Sequence, residues 1–235
     1  MEGAPDADLP EEAALNQALE AFVHRYESDD RSRGLHDLHL SLESRSGAVA
    51  DAIAGEAKAA GADLIVMGTK GASNRDDAAL GSMTNQVLNQ VVCPVLAVPA
   101  GCRYEAPKRI VYALDLLDDD MTGLFAVQFW ARQFKAETIV LHIKEDDGIL
   151  DASAHDRFNA IYDRLENEDK VRFEFLLSDD IPGSLDRFMR DHDAQWLAMA
   201  TRHSGLLGQA YDRSLTKQMV YHTQMPLLAV PTGIV

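Results

Sequence analysis

Residues 63–88 read "DLIVMGTKGASNRDDAALGSMTNQVL". The opening apolar run, 63–67, has the pattern of a strand buried on both faces. Gly68, Gly71 and Gly81 follow at Gly-x2-Gly-x9-Gly-Ser spacing, and Ser82 opens a helical pattern. In an open parallel α/β sheet, ligands bind beyond the C-terminal ends of the strands, which is where Gly68 falls. Glycine there lets the backbone approach a ligand without a Cβ in the way, and Gly71 can turn the chain with φ > 0. Unpaired amides and the dipole at a helix start favour an anion. Ser82 and Thr84 add hydroxyl donors. The stretch therefore reads as a phosphate cradle built mainly from main-chain N–H groups. It is neither a P-loop, lacking Gly-Lys-Ser/Thr, nor a GxGxxG turn.

Outward from this stretch the chain alternates. Strand patterns fall at 35–42, 63–67, 94–99, 109–115, 138–144, 171–177, 196–201 and 227–232. Helical spacing falls at 11–26, 47–60, 82–91, 120–135, 152–168, 184–192 and 212–223. Alternating strands and helices argue for parallel sheets with helices on both faces. "AGCRYEAPK", residues 100–108, reads as a linker, after which the alternation restarts.

The two parts are related. Residues 67–99 lie over 199–231 without a gap, and Met67, Thr69, Ser82, Thr84, Gln86 and the "LAVP" of 96–99 meet identical residues. An internal repeat follows. It gives two domains, 1–105 and 106–235. The second part has five strand patterns before its end and the first has three. By comparison, the first part lacks a first strand, a first helix and a second strand. A strand at 35–42 without its neighbour would expose edge amides. The expectation is a rearranged first part, or association between chains that covers this edge.

The chain has 235 residues, 46% of them hydrophobic, so it can bury a proper core. A formal charge of −16 with no basic run argues against nucleic acid as a partner. No apolar run reaches the length of a membrane span, and the acidic N-terminus does not read as a signal peptide. The 2 cysteines, Cys93 and Cys102, form no CxxC pair, which suits a reducing cytoplasm.

The spacing within "DLIVMGTKG…LGSMTNQVL…CPVLAVP" resembles the nucleotide-binding signature of the universal stress protein family, most specifically across 62–99. The second part resembles the family more weakly, through "RIVYALD", "TIVLHIK" and "PLLAVP". The resemblance implies tandem Rossmann-like or flavodoxin-like domains of the adenine-nucleotide α-hydrolase-like kind, with parallel sheets that pair through their last strands. It implies ATP as the ligand, with Mg²⁺ as its companion ion. Carried over by position, Gly68, Lys70, Gly71, Gly81, Ser82, Met83 and Thr84 match the phosphate and ribose loop. The family also places an Asp just after the first strand, and Asp115 matches it in the second part. There, Ala200, His203 and Arg213 replace the three glycines, so side chains crowd the loop.

The reading is a cytoplasmic, stress-linked regulatory module that binds an adenine nucleotide through its first part and forms a homodimer. One alternative is a nucleotide-free interaction module. A weaker one is a slow ATPase, for which no general base is visible. His36 and His39 point to opposite faces of a strand and do not read as a metal pair. His142 reads as a satisfied strand histidine. Cys93 reads as a small buried residue.

Overall fold

The structure is a computed structural model that describes residues 12–27, 39–45, 47–69, 82–116, 120–144, 152–166, 168–202 and 225–232. The chain divides into two compact units, Met1–Ala48 and Val49–Val235. In the first, α1 spans Glu12–Glu27. Its Leu19 and Val23 are half-buried, and Phe22 is exposed.

The alternation expected at 35–42 does not give a strand. Residues 39–45 are irregular, and 35–38 lie outside the described residues. Leu40 and Leu42 are exposed. A strand is held by ladder bonds to a neighbour, and none of the described strands pairs with this segment. Alternation alone does not supply that partner. The first part thus contributes two strands among the described residues, not three.

The second unit holds one sheet. Its elements in chain order are α2 (Val49–Ala60), β1 (Ile65–Gly68), α3 (Ser82–Leu88), β2 (Val95–Val98), β3 (Arg109–Ala113), α4 (Asp120–Phe134), β4 (Glu137–Lys144), α5 (Ala152–Leu165), β5 (Val171–Leu177), α6 (Ile181–Asp191), β6 (Trp196–Arg202) and β7 (Leu227–Thr232). The strand order is β1-β2-β7-β6-β3-β4-β5. Neighbours run parallel except at β2–β7, which is antiparallel. The strands match the sequence expectations to within a residue or two. The helix expected at 212–223 lies outside the described residues.

Side-chain alternation along the strands sends two sets of apolar residues to opposite faces. Ile110, Tyr112, Val140, Trp196, Ala198 and Leu228 pack with Leu124, Val127 and Ala131 of α4 and Ile161 of α5. Val111, Ile139, Leu141, Leu197, Met199 and Leu227 pack with Leu185, Phe188 and Met189 of α6. A third cluster joins Ala50 of α2, Val87 and Leu88 of α3, Val95 of β2 and Ala229 of β7. The main-chain groups of the strands find partners in the sheet, so this burial leaves few polar groups uncompensated.

The joint between the two parts is a self-pairing. Leu96 of β2 lies opposite Leu228 of β7, flanked by Val95 opposite Ala229 and Ala97 opposite Leu227. Leu96 and Leu228 occupy equivalent places in the two "LAVP" segments, so a local two-fold axis passes through this pair. This is the pairing through last strands that the resemblance implies.

Two sequence expectations need correction. The run at 63–67 is not buried on both faces, because Val66 is 61% exposed. Its counterpart in the second part, Ala198, is fully buried beneath α4 and beside β3. No described element plays either role for β1. The helix expected at 184–192 starts earlier, at Ile181. Asp180 caps it by accepting a hydrogen bond from the Gly183 N–H at 3.0 Å, and Pro182 fits the first turn. A Cβ on Gly183 would meet the Asp180 carboxylate, so a side chain there would force the capping group to shift.

Candidate functional site

β1 and β2 run opposite to β3–β7. The C-terminal rims of the two parts therefore lie at opposite ends of the sheet. Gly68 closes β1 at one end, and Asp115 follows β3 at the other. The structure does not bring Asp115 to the glycine loop of its own chain.

At the first rim Gly68 is exposed. Thr69 is buried, and its N–H bonds the Val98 carbonyl at 3.0 Å, which extends the β1–β2 ladder by one residue. The next described element is α3, whose first turn carries no acidic side chain. Thr84, 1% exposed, donates its hydroxyl to the Gly68 carbonyl at 3.4 Å. This bond ties the start of the glycine loop to the helix at its end. Met83 packs against the cluster formed by α2, α3 and β2. The described residues therefore have two kinds of work. Gly68 offers open backbone at the rim, while Thr84 and Met83 hold α3 in place. Lys70, Gly71 and Gly81 lie outside the described residues, as does the side chain of Ser82.

The second rim is built tightly. Leu116 takes φ 60° and is 1% exposed, so the chain turns left-handed just after β3 and drives this side chain into the core. Leu114 N–H bonds the Leu141 carbonyl at 2.8 Å. His142 Nδ1 lies 2.8 Å from the Leu114 carbonyl, and Arg157 Nε donates to the Leu116 carbonyl. His142 is thus a satisfied strand histidine. Asp115, between these anchored residues, is exposed. Ala200 stands where the first part has Gly68. A Cβ built on Gly123 of α4 would lie 3.3 Å from Ala200 Cβ, so helix and strand already meet closely there. Thr201 Oγ1 is buried without a hydrogen-bond partner. His203 and Arg213 lie outside the described residues.

Among the described residues no group of His, Cys, Asp or Glu is placed to hold a metal. Cys93 and Cys102 are unpaired, and burial pushes the Cys93 thiol up. No helix of the described residues is long and apolar enough to cross a membrane.

Within β3–β7 the chain order across the sheet is fifth, fourth, first, second, third, which is the doubly wound order with its switch point between β3 and β6. The molecule is therefore a Rossmann-like α/β protein whose two parts meet through their last strands. Residues 1–99 match the model of the Universal stress protein family. Of the curated proteins compared, none matches this sequence. Among solved structures, the chain is similar to a universal stress protein from Archaeoglobus fulgidus DSM 4304, with TM-score 0.74 and 16% identity, over 97% of this chain and 84% of that one. It is also similar to a functionally unknown protein from Pseudomonas aeruginosa PAO1, with TM-score 0.61 and 17% identity, over 97% of this chain and 90% of that one. At these identities the likeness carries the fold alone.

Proposed function

We propose that the chain is a stress-linked regulatory module of the universal stress protein type that binds ATP at the rim closed by Gly68. The observation that carries this reading is the Thr84 hydroxyl on the Gly68 carbonyl. It ties Gly68, at the C-terminal end of a parallel strand where ligands of such sheets bind, to the first turn of α3. The phosphates would lie on Gly68, Lys70, Gly71, Gly81 and Ser82, with Met83 and Thr84 holding the base of the loop. The described part fits such a ligand, since Gly68 is exposed and the first turn of α3 has no carboxylate to repel it. Mg²⁺ is the companion ion of the same proposal.

The reading assigns regulation by binding, with slow hydrolysis at most. It divides the chain into a domain of residues 1–105 and a second of 106–235, and it places the protein in the cytoplasm. The joint between last strands is already used within the chain, by β2 and β7. A homodimer would need another surface, and Phe125 and Phe129, exposed one turn apart on α4, supply an apolar one. Sedimentation of Phe129→Glu against the unaltered chain tests that surface.

The decisive experiment is to denature the purified protein, identify any released nucleotide by mass, and measure ATP binding by calorimetry. ATP binding that Gly81→Val abolishes supports the site. No nucleotide, together with no heat at millimolar ATP, favours the second reading, an interaction module free of nucleotide. The observation behind that alternative is the open strand β1 with its exposed Val66.

A further inference from the structure

The turns from α2 into β1 and from α6 into β6 repeat one hydrogen-bond pattern. Gly61 after α2 has φ 61°, and Asp193 after α6 has φ 46°. Gly61 N–H bonds the Lys58 carbonyl and Ala62 N–H the Ala57 carbonyl. Asp193 N–H bonds the Arg190 carbonyl and Ala194 N–H the Met189 carbonyl, which is the identical pattern at the equivalent places. Ile65 N–H then bonds the Pro94 carbonyl as Leu197 N–H bonds that of Pro226.

In the second copy this frame holds another strand. β3 lies parallel against the outer edge of β6, with Ile110 opposite Trp196 and Tyr112 opposite Ala198. Its entry is fixed by polar contacts. Gln195 Oε1 accepts the Lys108 N–H at 2.7 Å and the Arg109 N–H at 3.0 Å. Arg109 Nη1 donates to the His192 carbonyl at 2.9 Å, at the C-terminal end of α6 where the helix dipole favours a cation.

In the first copy the frame is present, and among the described residues no strand lies against it. Ile65 and Thr69 turn their N–H groups to β2, so the N–H of Val66, between them in alternation, faces the outer edge. Val66 is 61% exposed, and among the described residues β1 ends the sheet. The place of Gln195 is taken by Asp63, which is exposed. A carboxylate there, one methylene shorter than Gln195, can accept N–H groups at the start of an incoming strand and also attract a basic side chain. β1 has no charged residue, proline or bulge to guard its edge. β5, at the other end of the sheet, carries Arg172 and Glu174.

We propose that the outer edge of β1 receives a parallel β-strand from a partner polypeptide. The strand it fits opens with a basic residue beside Asp63 and the C-terminal turn of α2, and continues with β-branched or aromatic residues that cover Val66. Residues 108–113 of this chain, "KRIVYA", show the required chemistry on the equivalent edge. Main-chain ladder bonds supply affinity, and the basic start supplies direction and register.

The probe is a fluorescent peptide of residues 106–115, "APKRIVYALD", titrated with the full chain and read by anisotropy. Saturable binding is expected. Val66→Pro removes the outward N–H without touching the β2 ladder and should weaken binding about tenfold or more. Asp63→Lys, an exposed change, should do the same, and a peptide with Lys108 and Arg109 both replaced by Glu should bind Asp63→Lys better than the unaltered chain. Circular dichroism of both variants checks that they fold, and Asp63→Lys keeps the test alive if Val66→Pro does not. Absence of saturable binding overturns the proposal, as does binding indifferent to both variants. A dimer of the chain that Val66→Pro dissolves, and that the peptide cannot displace, also overturns it by making a second copy the occupant.

Discussion

Replacing Gly123 by alanine sets two effects of opposite sign against each other. Gly123 lies in α4, where alanine would ordinarily stabilise the helix by about 1 kcal/mol. Here the added Cβ would fall 2.5 Å from Tyr112 Oη and 3.3 Å from both Tyr112 Cζ and Ala200 Cβ. Tyr112 is fully buried in the middle of β3, so its ring has nowhere to swing. Overpacking of this kind costs about 1–3 kcal/mol. Taking about 2 for the clash and about 1 for the propensity gain, Gly123→Ala should lose about 1 kcal/mol, or about 2–4 °C in a chain of this size. Urea unfolding followed by circular dichroism, at matched m-values, measures it. Removing the obstructing oxygen should relieve the strain. The Gly123→Ala, Tyr112→Phe double variant is expected to be more stable than the sum of the singles by about 1 kcal/mol. Should Gly123→Ala alone prove more stable than the unaltered chain, the claim that α4 is pressed against β3 and β6 is refuted.

Leu228→Ala, at a fully buried position on the self-paired joint, should cost about 2–5 kcal/mol in the same assay. A loss within error of zero would show that the joint is not packed as described. Asp180→Ala removes the cap of α6 and should cost about 1 kcal/mol, with Asp180→Ser recovering most of it. The Cys93 thiol is pushed up by burial, with a smaller push from Asp63. A group whose folded pKa is raised contributes stability that is present below its unfolded pKa and lost as pH climbs towards the folded one. The alkaline fall in stability should therefore be shallower in Cys93→Ala, and alkylation of Cys93 at neutral pH should be slow until the chain is unfolded.

The sheet was legible in the sequence because its strands are short apolar runs bounded by clear breaks, and because "LAVP" occurs twice in the same context. The joint through the last strands was what the family resemblance implied. Residues 39–45 show where such reading fails. Leu40 and Leu42 alternate with polar residues as a half-buried strand would, but alternation specifies a face and not a neighbour. The exposure of Val66 was hidden for the same reason, since burial of a strand on both faces depends on elements distant in sequence. Gln195 carries no signal of its own in the sequence. Its task, accepting two N–H groups from residues 108 and 109, is visible only once β3 and β6 are adjacent. The start of α6 is readable: Asp180 followed by Ile-Pro-Gly is a helix entry, although the apolar spacing becomes regular only from Ser184 onward. Of the candidate site, the strand-end position of Gly68 and the helix start at Ser82 agree with the sequence reading. The bond from Thr84 back to Gly68 required the fold.

The pairing of Leu96 with Leu228 has a consequence for how the two parts can diverge. When two separate copies of one chain pair through such a seam, a substitution appears on both sides at once, and the pair separates on dilution. Here both sides belong to one covalent chain, so the partner's effective concentration is fixed by the connecting segment and no longer by the amount of protein present. Each side can then change alone. Ala200, His203 and Arg213 can replace glycines in the second part while Gly68, Gly71 and Gly81 persist in the first. Neither change alters the three-pair ladder that keeps the halves together.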